Sequence, residues 1–216
     1  MPYDIVWVTP YVNTKLVKET DWPTSLQDLL KHQWKGKIVL SDPRTGSGAY
    51  RYYIPFVRLG IIDWEYVKTL GKQEATLAQN NTAAMQVLAK GEALLTPYNT
   101  SGPNVSMVEA GAPVKALSMK EGDLFDLNSF SALDGGPHPN ATKVFINWFF
   151  SKEGQLVYAN AAKHNPVRKD TPNLTPKDVL PPNPNVKKIE INNKDTEEAE
   201  KLLKEGFIAQ VMGLKR

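Results

Sequence analysis

Apolar residues fall along this chain in short bursts, and their spacing predicts strands alternating with helices. Ile5, Val6, Trp7 and Val8 make Asp4 to Tyr11 a strand with a largely apolar face, left through a turn at Asn13-Thr14-Lys15-Leu16. Lys37-Ile38-Val39-Leu40 is a second apolar run, short enough for a buried strand. Tyr50 to Leu59 then carries Tyr53, Ile54, Phe56 and Val57 at helical spacing. Between the first two strands, Thr24 with Gln27 three residues on suggests a capping box opening a short helix, Leu26 to Leu30. Pro23 stops any helix arriving from before it.

Gly60 closes the Tyr50–Leu59 helix, and Asp63 caps the next, with Trp64 and Val67 inward. Ala75 to Ala78 reads as a short strand. Asn80 or Asn81 caps a helix carrying Ala84, Val87 and Leu88, closed by Gly91. Ala93 to Thr96 is the next strand, ending in the polar stretch Pro97 to Gly102. This alternation from Lys37 to Leu95 argues for an α/β domain. Further on, Val105 to Glu109 reads as a helix, Val114 to Ser118 as a strand and Leu124 to Leu133 as an extended run. An amphipathic helix then starts at Pro139 or Asn140, with Ala141, Val144, Phe145 and Trp148 on one face. Ser151 caps its successor. The Pro-rich stretch 165–185 reads as extended surface chain, and a last helix from Asp195 has an apolar seam of Ala199, Leu203, Phe207 and Val211.

Composition narrows the function. At 216 residues the chain is long enough for one large or two small domains. Its 26 Lys and Arg against 23 Asp and Glu give a net charge of +3, too weak to argue for nucleic acid. It has no cysteine, which removes disulfides, thiolate metal sites and cysteine nucleophiles. No stretch approaches the roughly 20 apolar residues of a membrane span. No signal peptide is visible at Met1-Pro2-Tyr3-Asp4.

The stretch Asp42-Pro43-Arg44-Thr45-Gly46-Ser47-Gly48-Ala49-Tyr50 is the candidate chemistry. A strand-to-helix turn rich in Gly, Ser and Thr points backbone N–H groups and hydroxyls at one spot, where a helix start adds partial positive charge. That suits an anionic group, with Arg44 and Arg51 adding formal charge. It is neither a P-loop nor a dinucleotide fingerprint. The same residues also suit a tight turn that caps a helix and binds nothing.

Taken in order, Tyr11-Val12-Asn13-Thr14-Lys15-Leu16-Val17, Trp22 to Leu30, Trp34 to Gly48, Gly136 to Ile146 and Ser151 to Gln155 carry a resemblance. The chain resembles the type II periplasmic substrate-binding proteins of ABC importers, nearest to the ferric-iron and phosphonate group. The resemblance implies two α/β lobes with a ligand cleft between them. It implies residues 1–13 as a hinge strand, 14–126 as the complete second lobe, and 127–216 as a return strand plus C-terminal helices of the first lobe. The opening part of that first lobe has no counterpart here. The helices carrying Phe145, Trp148, Phe149 and Phe207 are therefore expected to pack on another chain, as in a homodimer, or on a first-lobe segment.

By the same resemblance, Arg44, Thr45, Gly46, Ser47, Gly48 and Ala49 line the second-lobe side of the cleft. Tyr98 and Asn99 line it too, and Tyr11 lies near the hinge. Ferric-binding relatives place two adjacent tyrosines where this chain has Tyr98 and Asn99, so Tyr98 is a metal ligand only if the cargo is ferric iron. The adjacent pair Tyr52-Tyr53 reads as packing. His32, His138 and His164 share no ligand spacing.

The implied function is that of an extracytoplasmic, non-enzymatic receptor for an importer. It would deliver a small anionic solute or ferric iron to an ABC permease in the membrane, with no resident cofactor. A ligand-sensing domain of a receptor is the alternative. An enzyme is disfavoured, because Ser47 has no His at motif distance and no paired carboxylates flank the turn.

Overall fold

The computed structural model describes residues 1–45, 52–102 and 104–214. Its spine is β1 (Pro2–Asn13), a strand long enough to take partners at both ends of both edges. All four partners run antiparallel to it. One edge pairs with β6 (Asp123–Ser129), Trp7 opposite Phe125 and Val8 opposite Leu124, and then with β5 (Val114–Ala116). The other edge pairs with β7 (Asn165–Pro166) and then β4 (Leu95–Thr100). β8 (Lys188–Glu190) adds to β6 in parallel. The β1–β4 ladder slips between Thr9 and Tyr11. Pro10 and Pro97 sit at that bulge, the place in a sheet where a residue without an N–H costs least.

β2 (Val39–Ser41) and β3 (Thr76–Ala78) pair in parallel, and Ile38 bridges in parallel to Leu95 of β4. Helices α1 (Tyr53–Arg58), α2 (Trp64–Gly71), α3 (Asn81–Lys90) and α4 (Asn104–Glu109) lie in the same stretch of chain. This is the α/β alternation that the apolar bursts predict. Asp63 and Asn80 cap α2 and α3 as expected, and Gly91 closes α3 in the left-handed region at φ 81°. The core beneath is fully closed at Val8, Leu29, Phe56, Leu70, Leu95 and Leu124.

Several expectations are corrected. Leu26–Leu30 is a 3-10 helix, and its capping box is Ser25 with Asp28, not Thr24 with Gln27. The Asp28 carboxylate reaches back to the N–H groups of Thr24 (2.9 Å) and Ser25 (3.0 Å). Burial on its own would raise the Asp28 pKa. Hydrogen bonds from Lys31, Thr24 and Ser25 outweigh it and hold the carboxyl well below the ordinary value. A depressed folded-state pKa contributes stability that is whole above about pH 4 and is lost as pH falls. Asp28→Asn is therefore expected to flatten the dependence of the unfolding midpoint on pH between about pH 5 and pH 2, measured by urea titration at each pH.

The strand predicted to end at Thr96 continues to Thr100, so Pro97, Tyr98 and Asn99 lie within it. The Pro-rich stretch 165–185 is not simply surface. Val179 is fully buried, and its carbonyl accepts the Tyr11 hydroxyl at 2.9 Å. The last helix begins at Asn193, not Asp195. α7 (Asn193–Lys204) is capped by Asn192 with Asp195 at its third position, and Gly206 in the left-handed region separates it from α8 (Phe207–Val211).

The helices after residue 127 divide in two. α7 and α8 fold onto the α/β core: Asp195 takes a two-pronged ion pair from Arg58 (2.7 and 3.1 Å), and Phe207 packs edge-on against Trp64. Ile208 and Met212 are buried in the same cluster. The expectation that Phe207 lacks a surface to cover is thus overturned. α5 (Pro139–Phe149) and α6 (Lys152–Ala162) are covered in part by this chain itself. Phe149 joins an aromatic cluster with Tyr3, Phe130 and Tyr158, while Val144 (70% exposed), Phe145 (48%) and Trp148 (39%) face outward.

Candidate functional site

In parallel α/β sheets, ligands sit beyond the carboxyl ends of the strands. Here that edge is formed by Ser41 at the end of β2, the start of α3 after β3, and Thr100 at the end of β4. These elements converge on Asn81. Its Oδ1 accepts the Ser41 hydroxyl at 2.6 Å. Its Nδ2 donates to the Tyr52 hydroxyl at 2.9 Å and to Thr100 Oγ1 at 3.4 Å. Its carbonyl accepts Asn99 Nδ2 at 2.9 Å. Asn81 is the first residue of α3, so the positive end of the helix dipole lies here, with the Ala83 N–H taken by the Asn80 cap at 2.9 Å.

The Asp42–Thr45 turn lies beside this wall. Asp42 clamps the Arg44 guanidinium at 2.6 to 3.1 Å, and that pairing holds the Asp42 carboxyl below the ordinary range. Much of the Arg44 charge is therefore answered within the turn. The Thr45 hydroxyl donates to the Asp42 carbonyl at 2.9 Å, with the Gln79 carbonyl at 3.1 Å. Of the expected cradle, Gly46, Ser47, Gly48 and Ala49, with Tyr50 and Arg51, lie outside the described residues.

Tyr98 points into the core, 3% exposed, against Phe56 at 5.6 Å and Tyr52 and Tyr53 at 6.4 Å. Its hydroxyl has no hydrogen-bond partner among the described residues. Burial, with Tyr66 and Tyr53 nearby, pushes its pKa well above that of free tyrosine. Tyr11 is also buried in the spine strand. Burial moves its pKa up to about 12, against hydrogen bonding with Asn104 and Thr9. Asn99 faces the wall through its amide nitrogen, while its Oδ1 is buried without a hydrogen-bond partner among the described residues.

Two features were missed by sequence reasoning. Tyr52, read as packing, reaches Asn81 with its hydroxyl, while its neighbour Tyr53 does pack. The signal was present as a pair of tyrosines, but adjacent helical side chains diverge, and only the fold says which one faces the strand ends. The second is a polar cluster on β1. Buried Asp4 on β1 accepts His164 Nδ1 at 2.8 Å and Asn128 Nδ2 at 3.0 Å. Residues 160 positions apart leave no local pattern to find. Among the described residues, no three His, Asp or Glu side chains are grouped to hold a metal ion. No helix among them is long and apolar enough to cross a membrane.

Residues 1–188 match the family model of bacterial extracellular solute-binding proteins, and the chain belongs to that family of binding proteins, not enzymes. Its fold is that of the periplasmic binding proteins of ABC transporters. It is similar to iron-bound HitA from Pseudomonas aeruginosa, with a TM-score of 0.73 at 21% identity, over 99% of this chain and 69% of that one. The likeness to AfuA from Actinobacillus pleuropneumoniae, solved with fructose-6-phosphate bound, gives a TM-score of 0.70 at 21% identity, over 99% of this chain and 68% of that one. An uncharacterised protein of Haemophilus influenzae is 27% identical over 144 residues, which is 62% of this chain and 39% of that relative. The chain thus spans well under half of that relative's length.

Proposed function

We propose that this chain is the solute-binding part of an ABC importer, holding a small anionic solute against the Ser41–Asn81–Thr100 wall while a second lobe closes over it. The observation that carries this reading is the set of hydroxyl and amide groups converging where β2 and β4 end and α3 begins. Arg44 and Thr45 of the adjoining turn, with Gly46, Ser47, Gly48 and Ala49 that follow them in sequence, would complete the site. Closure works by selection: a solute that touches both lobes binds the closed arrangement more tightly and shifts the hinge equilibrium toward it. The cargo would pass to a permease in the membrane. AfuA, bound to a sugar phosphate, is the neighbour whose cargo suits such a wall.

HitA is iron-bound, and a ferric ion asks for several hard anionic oxygens. A phenol buried as Tyr98 is, with its pKa raised, does not ionise readily. Tyr98→Phe decides between the two cargoes. Calorimetric titration with a hexose monophosphate is expected to give the same affinity for the variant and the parent. Removing an unpartnered buried hydroxyl is expected to raise stability by about 1 kcal/mol, read as a higher urea midpoint. Loss of ferric-ion binding in the variant would instead make Tyr98 a metal ligand.

A further inference from the structure

α6 ends at Lys163 in the left-handed region, φ 54°, a conformation uncommon for a residue with a side chain. That turn swings the chain back against β1, where Asn165 pairs with Ile5 and Pro166 with Asp4. His164 stands at the corner. Its Nδ1 lies 2.8 Å from Asp4 Oδ2 and 3.0 Å from the Tyr158 hydroxyl of α6. Asn128 of β6 adds a donor from the other side, its Nδ2 giving to Asp4 Oδ2 at 3.0 Å. The far edge of the ring is held as closely. A side chain added at Gly102, just past the end of β4, would begin 3.0 Å from His164 Nε2. One imidazole thus sits between the end of α6, the exit of β4 and the strand that runs through the whole sheet.

Asp4 calls for a counter-charge. Its side chain is wholly buried, and its Oδ1 has no hydrogen-bond partner among the described residues. A buried carboxylate left with open acceptor capacity is costly unless a positive charge stands beside it. Asn128 carries no charge. Burial, together with the charge and hydrogen bond of Asp4 and with Tyr3 nearby, pushes the Tyr158 phenol far up. Burial and the Asp4 charge raise Tyr3 as well, so neither phenol changes charge near neutral pH. Asp126 of β6, opposite Val6, accepts the Leu127 N–H at 2.8 Å and brings negative charge. Among the described residues, His164 is the basic side chain paired with Asp4, and its side chain, 23% exposed, is open to solvent protons. Imidazole is the side chain that ordinarily changes charge between about pH 5 and pH 8.

We propose that Asp4 and His164 form a pH-sensitive latch: a charged His164 pins the α6–β7 corner to the spine strand, and loss of that charge loosens it. The hydrogen bond outlasts the charge, because a neutral imidazole can keep its proton on Nδ1. A charge-assisted bond is about twice as strong as a neutral one, so the grip weakens when the charge goes. The stability that the latch adds is therefore present at the acid end and lost as pH rises. In a receptor that closes over its solute, the charged latch would stiffen the strand that both β4 and β7 lean on. That consequence rests on the solute-receptor reading, and the latch itself does not.

The test is His164→Asn in the whole chain. Asparagine keeps a neutral donor near the place of Nδ1 and cannot take up a charge. Parent and variant would be unfolded in urea at about pH 5.5 and about pH 8, at one ionic strength. At the higher pH their folding constants are expected to agree within about threefold. At the lower pH the parent is expected to be ahead by about tenfold, the difference between a charged and a neutral hydrogen bond. His32→Asn, at an exposed histidine, is expected to open no such gap. A second measurement needs no variant. Amide hydrogen exchange of the parent, corrected for its intrinsic pH dependence, is expected to show protection of the β1–β7 ladder falling about tenfold from the lower pH to the higher, with α3 unchanged. A gap between parent and His164→Asn that is the same at both pH values, or a ladder whose protection does not fall, would overturn the latch. A gap that widens toward the higher pH would overturn its direction. No solute enters either measurement, so a chain that binds none would sink the receptor reading and leave the latch standing.

Discussion

Replacing Gly154 by valine is expected to cost about 3 kcal/mol of stability. Gly154 sits in the first turn of α6, its N–H held by the Ser151 cap at 3.1 Å. A Cβ added there would overlap the Trp148 carbonyl and come within 2.7 Å of Phe149 Cα. These are backbone atoms of the helix before, and they cannot swing aside as a side chain can. The corner would have to open, and Phe149 would withdraw from Tyr3 and Phe130. Urea unfolding followed by circular dichroism would show the midpoint falling. Glu153→Ala, one residue earlier and exposed, is expected to stay within about 0.5 kcal/mol. Equal midpoints for the two variants would mean that the corner between α5 and α6 is not close-packed.

Phe56→Ala is expected to cost about 3 to 5 kcal/mol. Phe56 is fully buried in α1, its ring 5.6 Å from that of Tyr98. Its carbonyl receives the Ile61 N–H at 2.9 Å, where the chain leaves the helix. The cavity would open beneath the strand that carries Tyr98 and Asn99, so solute affinity is expected to fall along with stability. Leu59→Ala, on the outer side of the same turn, is expected to cost less than about 1 kcal/mol. Paired urea and calorimetric titrations separate the two effects. An unchanged urea midpoint in the Phe56 variant would show that the core refills the space.

Most of the α/β order was legible because local rules wrote it. Asp63 and Asn80 are short acceptors before apolar runs, and Gly91 takes a left-handed conformation that other residues avoid. The first capping box was misplaced by one residue, since Thr24–Gln27 and Ser25–Asp28 have the same spacing and only the fold shows which carboxyl or amide reaches back. The end of β4 was misread because prolines signal turns, whereas Pro97 lies at a bulge in a continuing strand. Of the candidate site, the Asp42–Thr45 turn was visible as a cluster of turn residues. Tyr52 and Asn81 were not visible as partners, because no spacing rule links a residue before α1 to the start of α3.

By itself, then, the sequence determined the order of the elements, the caps of α2, α3 and α6 and the resemblance to the family, all of which depend on neighbours within a few positions or on the order of segments. The tertiary structure decided which polar residues meet. It buried Tyr98 among aromatic rings, brought His164 to Asp4, folded α7 and α8 onto the α/β core and left the face of α5 uncovered. Periodicity says that a side chain has an inner or an outer face. It does not say what stands opposite, and the direction of a hydrogen bond such as that from Asn81 to Thr100 depends on what stands opposite.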